Sequence, residues 1–152
     1  MYESTRSGAL PIIRVDHGVA AIDRVYEECA RLLPNGGTYY RYSSRTGPSN
    51  TYKSHKKYKL LRESKKLQRL VITNQELFHL AKSAPGRETL GFPPEFPFKQ
   101  NFQKIIYANR VAIIDLESLA VCTIESAMMA SFETAIFKSL FAYIRADRGS
   151  KI

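Results

Sequence analysis

His55 and Lys57 are the one pair in this chain with the spacing of a phosphoryl-transfer device. In a His-x-Lys arrangement the imidazole attacks phosphorus and the lysine holds the phosphate oxygens. An Asp five residues beyond the lysine must orient the site. Here Arg62 stands at that place, and no second His-x-Lys occurs. Without its carboxylate a phosphodiesterase is the least favoured reading of the pair. Metal chemistry fares no better, because His17, His55 and His79 have no second ligand at a helical or hairpin spacing. No nucleophile elbow, phosphate-binding loop or dinucleotide glycine pattern occurs either. The residues therefore point to a binding protein without catalytic residues, metal or cofactor.

What remains is charge. The chain has 152 residues and a formal net charge of +9. Most of that excess lies between Lys53 and Arg69, where Lys53, Lys56, Lys57, Lys59, Arg62, Lys65, Lys66 and Arg69 face the single acid Glu63. A local basic run is a sharper hint than a diffuse excess. It reads as a solvated helix face, as a site for a phosphorylated ligand, or as a phosphate contact to nucleic acid. No helix-turn-helix or metal-finger spacing accompanies it.

The elements that would position these residues follow from periodicity. Leu10–Val15 predicts a strand, and Asp16 a cap for the helix after it. Val19, Ile22, Val25, Tyr26, Cys29, Leu32 and Leu33 recur at helical spacing until Pro34-Asn-Gly-Gly37 stops the run. Thr38–Ser43 reads as a strand, residues 44–50 as a loop, and 51–66 as the basic helix. Leu67–Thr73 reads as a strand, and Asn74 as the cap of a short helix, Gln75–Lys82. This βαβαβα order predicts a largely parallel sheet covered by helices. Glu88–Phe92 fits an edge strand. Pro93–Phe98 fits an extended loop whose Phe92, Phe96 and Phe98 plug into the body. Lys104–Tyr107, Arg110–Leu116 and Ala120–Ile124 predict an antiparallel meander. A closing helix from about Ser126 to Arg145 should bury Met128, Met129, Phe132, Ile136, Phe137, Leu140, Phe141 and Ile144. Cys29 and Cys122 sit in amphipathic or apolar runs and read as reduced core residues.

Several of these passages resemble the C-terminal effector domain of TrmB-type, sugar-responsive transcriptional regulators, which has a phospholipase D-like fold. They are Pro11–Tyr26, Tyr58–Arg62 with Leu67–Thr73, Ile106-Tyr-Ala-Asn-Arg-Val-Ala-Ile-Ile114, Thr123-Ile-Glu-Ser126, and Phe132 through Phe141. The likeness covers roughly residues 10 to 145. It implies an α/β fold, a mixed sheet covered by helices, ending in the antiparallel meander and closing helix. It also implies a relative of phospholipase D without catalysis, in keeping with Arg62. Regulators of this family carry a winged helix-turn-helix ahead of the effector domain. About nine residues precede the first strand here, so the expectation is one effector-type domain without that module.

The functional expectation is a ligand-sensing or interaction domain for a sugar or small anionic metabolite. The alternative is a basic module binding nucleic acid through the helix at 53–69. In open α/β sheets ligands sit beyond the carboxyl ends of the strands. That singles out Ser43, Ser44, Arg45, Thr73 and Asn74, with His55, Lys57 and Arg62 as anion contacts. Tyr107 and Glu125 join them from the matched segments. A homodimer, through the Met128/Phe132 helix or an edge strand, or a regulator partner is a further expectation. No apolar run approaches the roughly 18 residues of a membrane span, and no secretory signal opens the chain. A cytoplasmic protein with no membrane partner is expected.

Overall fold

Ile12–His17 forms strand β1, and Gly18, at φ 106°, turns the chain into helix α1, Val19–Leu32. The computed structural model describes residues 10–46, 56–80, 82–96 and 98–150, so Lys53, His55 and the loop beyond Thr46 lie outside it. Gly18 holds the cap position of α1, and no side-chain bond caps it. The expected Asp16 cap does not form, because Asp16 already belongs to the ladder opposite Val121. At the other end of α1 the Lys65 ammonium donates to the carbonyl oxygens of Ala30, Arg31 and Leu33 at 2.8–2.9 Å. A cation there meets both the unfilled acceptors and the negative end of the helix dipole.

The chain continues as β2 (Thr38–Ser44), α2 (Lys56–Ser64), β3 (Gln68–Thr73), α3 (Gln75–Leu80) and β4 (Arg87–Gly91). Then come β5 (Phe102–Tyr107), β6 (Arg110–Asp115), β7 (Ala120–Glu125) and α4 (Ala127–Ser150). One seven-stranded sheet runs in the order β1-β7-β6-β5-β2-β3-β4. Only β2–β3 and β3–β4 pair in parallel; the other neighbours are antiparallel. The sheet is mixed, as the resemblance implied, and not the largely parallel one that the βαβαβα order predicted. β1 and β2 do point the same way, but the meander β5-β6-β7 is inserted between them. Alternating strands and helices encode direction, not adjacency.

The two sheet faces carry separate cores. α1 and α2 cover Tyr39, Ile105, Ala112, Ile114 and Val121 with Ile22, Tyr26, Cys29 and Tyr58. α4 covers Tyr42, Ile72, Leu90, Ile106 and Val111 with Phe137, Phe141 and Ile144. Each buried Val, Leu, Ile or Phe among them stabilises the fold by roughly 1.5–3 kcal/mol. α4 starts where its sequence promised, with the Ser126 hydroxyl accepting from the Met129 N–H at 3.2 Å. Its burial differs from expectation. Ala130, Phe137, Phe141 and Ile144 face the sheet, whereas Met128, Met129, Phe132 and Ile136 are exposed. Apolar residues occupy two sides of this helix, and periodicity cannot say which side meets the sheet. Phe92 and Phe98 pack inward as expected, but Phe96 faces out at 54% exposure. Cys29 is buried and Cys122 partly so, both as free thiols. Among the described residues no helix is long and apolar enough to cross a membrane.

Candidate anion-binding site

Alternation along β2 puts Tyr39, Arg41 and Ser43 on the face covered by α1 and α2. An arginine in mid-strand on a helix-covered face is unusual, because charged side chains are seldom placed inside unless paired. Arg41 lies between Val71 of β3 and Ile105 of β5, and Ser43 between Thr73 and Gln103. Together they floor a cavity of about 360 Å³ whose wall includes Arg45, Lys82 and Arg87. Tyr26 of α1 and Leu77 of α3 also line it. Among the described residues, no Asp or Glu lines it.

The polar groups in this cavity are incompletely used. Arg41 donates through Nη1 to the Tyr26 hydroxyl at 3.5 Å, and that hydroxyl donates to Gln103 Oε1. Among the described residues, Arg41 Nε and Thr73 Oγ1 are buried with no hydrogen-bond partner. Arg87 donates to the carbonyl of Lys82, holding the guanidinium at the rim. Behind it, in register on β3, Arg69 donates to the Pro85 carbonyl at 3.3 Å. Burial lowers the pKa of Arg69, with the like charges of Arg62 and Arg41 adding to it. Burial, then Arg69, Arg41 and Arg62, lower that of Arg87. Arginine stays protonated regardless, so the depression reflects first the burial of each guanidinium and then the positive charge beside it. An uncompensated buried charge costs roughly 3–5 kcal/mol, and guanidinium forks match the oxygens of phosphate and carboxylate.

The residues marked by sequence divide around this cavity. Ser43, Arg45 and Thr73 line it. Asn74 supports it from behind: its amide donates to the Arg45 carbonyl at 2.8 Å and accepts from the Arg45 N–H at 3.3 Å, tying the loops after β2 and β3 together. Ser44 points to the opposite face, with its hydroxyl 3.5 Å from the Phe98 carbonyl. Lys57 is outside, 3.8 Å from Glu27. Arg62 stacks over the Tyr58 ring at 5.2 Å. Tyr107 donates to Glu28 at 3.1 Å, and Glu125 lies 3.4 Å from Arg110; neither reaches the cavity.

The basic run is likewise divided. Lys65 is spent on the end of α1 and Arg69 is buried in the sheet, so the run is not one exposed face. Lys56, Lys57, Lys59 and Lys66 remain outward. Sequence reasoning missed Arg41, Arg87, Lys82, Tyr26 and Gln103. A signal existed for Arg41, an unpaired charge at an inward position of a tyrosine-rich strand. None existed for Arg87 and Lys82, which reach the cavity through the placement of β4.

No protein-family model matches the chain, and no curated protein matches it. Solved structures do. TrmBL2, described as an archaeal chromatin protein with a novel mode of DNA binding, superposes with a TM-score of 0.61 over 86% of this chain at 8% identity. The chain spans about half, 51%, of that structure's length. NucT from Helicobacter pylori gives a TM-score of 0.60 over 88% of this chain and 97% of its own, at 7% identity. These likenesses carry the fold alone, and both fit the mixed, phospholipase D-like α/β architecture, with TrmBL2 supporting a TrmB-related one.

Proposed function

We propose that this chain is a binding module, of the ligand-sensing type found in TrmB-like regulators, that recognises a phosphate-bearing small molecule in the Arg41 cavity. One observation carries the proposal. Arginines and a lysine converge on a cavity lined by no described carboxylate, and Arg41 Nε and Thr73 Oγ1 are buried there without partners among the described residues. An anion supplies the missing countercharge and the missing acceptors. A neutral sugar would leave the guanidinium charge uncompensated, so the ligand class is narrowed to phosphorylated or otherwise anionic metabolites. No imidazole, thiol or carboxylate lines the cavity among the described residues, which favours binding over turnover.

Isothermal titration with inorganic phosphate, pyrophosphate and glucose 6-phosphate tests this, alongside the neutral sugar. Saturable binding of the phosphates, weakened roughly 10–100-fold by Arg41→Met, is the expected result. Equal heats for glucose and its phosphate would sink the proposal.

A second reading has its own support in the outward lysines Lys56, Lys57, Lys59 and Lys66 and in the fold shared with the DNA-binding TrmBL2. On that reading the anion is the backbone of a nucleic acid. Affinity for an oligonucleotide would then fall steeply with salt, and the Lys56→Glu, Lys57→Glu, Arg62→Glu triple reversal would abolish it. The small-molecule reading leaves phosphate binding intact in that variant.

A further inference from the structure

The two edges of the sheet are built differently. At β4 the open side is guarded: Arg87 donates to the Lys82 carbonyl and bridges to Ala84, and Glu88 is clamped by Arg145 at 2.5–2.7 Å. At β1 no described residue pairs with the outer edge of the strand. All six of its positions are exposed, with Val15 at 75% and Ile13 at 62%. Neither proline nor lysine interrupts Ile12–His17, the usual devices that keep an edge from pairing.

The hydrogen-bond phase of β1 follows from its register. Gly18 N–H donates to the Leu119 carbonyl at 2.9 Å, continuing the ladder in which Ile12 faces Glu125 and His17 faces Ala120. Bonded and non-bonded pairs alternate in an antiparallel ladder. Asp16, Arg14 and Ile12 therefore turn their backbone groups toward β7. Val15, Ile13 and His17 turn theirs toward the open side.

We propose that β1 pairs with β1 of a second copy of this chain, antiparallel across a two-fold axis at Val15. This register sets Val15 against Val15 and Ile13 against His17 as bonded pairs, using the backbone groups that face outward. It also sets Arg14 of each copy directly opposite Asp16 of the other, on the face of α1. The adjacent centres are excluded by charge: a two-fold at Arg14 opposes two arginines, and one at Asp16 opposes two aspartates. Within one chain these side chains are loosely held, Arg14 at 3.4 Å from Glu28 and Asp16 at 4.0 Å from Arg24, all but Glu28 more than half exposed. They are free to turn to the partner.

On the other face, pairing brings Ile13 and Val15 of both copies side by side. The apolar strip that runs on through Ile124, Met128 and Phe132 becomes continuous across the axis. A six-residue strand pair covers less than the roughly 800 Å² per partner of a stable interface. The association is therefore reversible and concentration-dependent.

The test is sedimentation velocity with light scattering on the full chain, over a micromolar concentration series. Wild type should shift from monomer to dimer. Arg14→Asp alone opposes acids across the axis, and Asp16→Arg alone opposes cations. Each should weaken self-association roughly ten-fold or more. Mixed in equal amounts, the two variants regain both complementary pairs and should form a heterodimer, whereas neither alone does. Wild type that stays monomeric throughout, single variants that dimerise like wild type, or a mixture that stays monomeric would each overturn the pairing. So would loss of the dimer in Phe132→Glu while both charge variants retain it, since that places the interface on α4.

Discussion

The two halves of the sheet treat positive charge in opposite ways. In the antiparallel half, Arg110 of β6 is held by Glu28 at 2.8 Å and Glu125 at 3.4 Å, and Tyr107 donates to the same Glu28. In the parallel half, Arg41 and Arg87 line a cavity with no described carboxylate, and Arg69 lies behind Arg87 in register on β3. The first arrangement holds its own countercharge and works as structure. The second has no described carboxylate opposite it, and on the proposed reading its complement comes with a ligand. An arginine's role is therefore read from what stands opposite it, not from its charge.

The largest effect should come from the packing that both halves share. Phe137→Ala removes a fully buried ring that contacts Tyr40, Tyr42 and Phe141 and should cost about 3–5 kcal/mol in urea unfolding. Next is Glu28→Ala, which strips Arg110 and Tyr107 of their common partner and should cost about 2 kcal/mol. The parallel half should answer with the opposite sign. Arg69→Met, removing a buried guanidinium beside Arg62 and Arg41, should raise stability by about 1 kcal/mol. If Arg69→Met and Glu28→Ala destabilise alike, the contrast between the halves fails.

The tyrosines add a pH signature. Burial, with Glu133 adding, pushes Tyr42 up to about 12. Burial also raises Tyr26, Tyr39 and Tyr107. A phenol with a raised folded pKa binds its proton more tightly when native. Stability is therefore intact below the ordinary value near about 10 and falls as pH rises through the folded values. Tyrosinate absorbance and loss of circular dichroism should rise together above that point. Separate, gradual titration of the buried tyrosines in a folded chain would contradict the burial. The smallest effect is local: Ala108 sits at φ 49° in the β5–β6 hairpin, and Ala108→Gly should add about 0.5–1 kcal/mol.

Element existence was legible because it rests on local period. The amphipathic α1, the meander and the start of α4 near Ser126 all followed from spacing. What was not legible rests on long-range placement. Nothing local in Leu10–Val15 says that it leaves β2 and crosses to β7, and nothing in α4 says that Phe132 faces outward while Phe137 faces in. The site was half legible for the same reason. Ser43, Arg45 and Thr73 follow from the rule that loops at carboxyl ends of strands gather ligands. The basic run at 53–69 drew attention away from Arg41, because a dense cluster of charge stands out in sequence and a single inward-facing arginine does not. Lys65 illustrates the cost of counting charges: its ammonium caps a helix.

The central claim is that the Arg41 cavity awaits an anion, and one measurement addresses it most directly. Thermal unfolding of wild type and Arg41→Met should be followed with and without millimolar pyrophosphate at constant ionic strength. A bound ligand stabilises the native state by RT ln(1 + [L]/Kd), about 2.7 kcal/mol at 100 Kd. The account predicts that pyrophosphate raises the wild-type midpoint by several degrees and leaves the variant's unmoved. A shift of the same size in both proteins, or none in wild type, would contradict it.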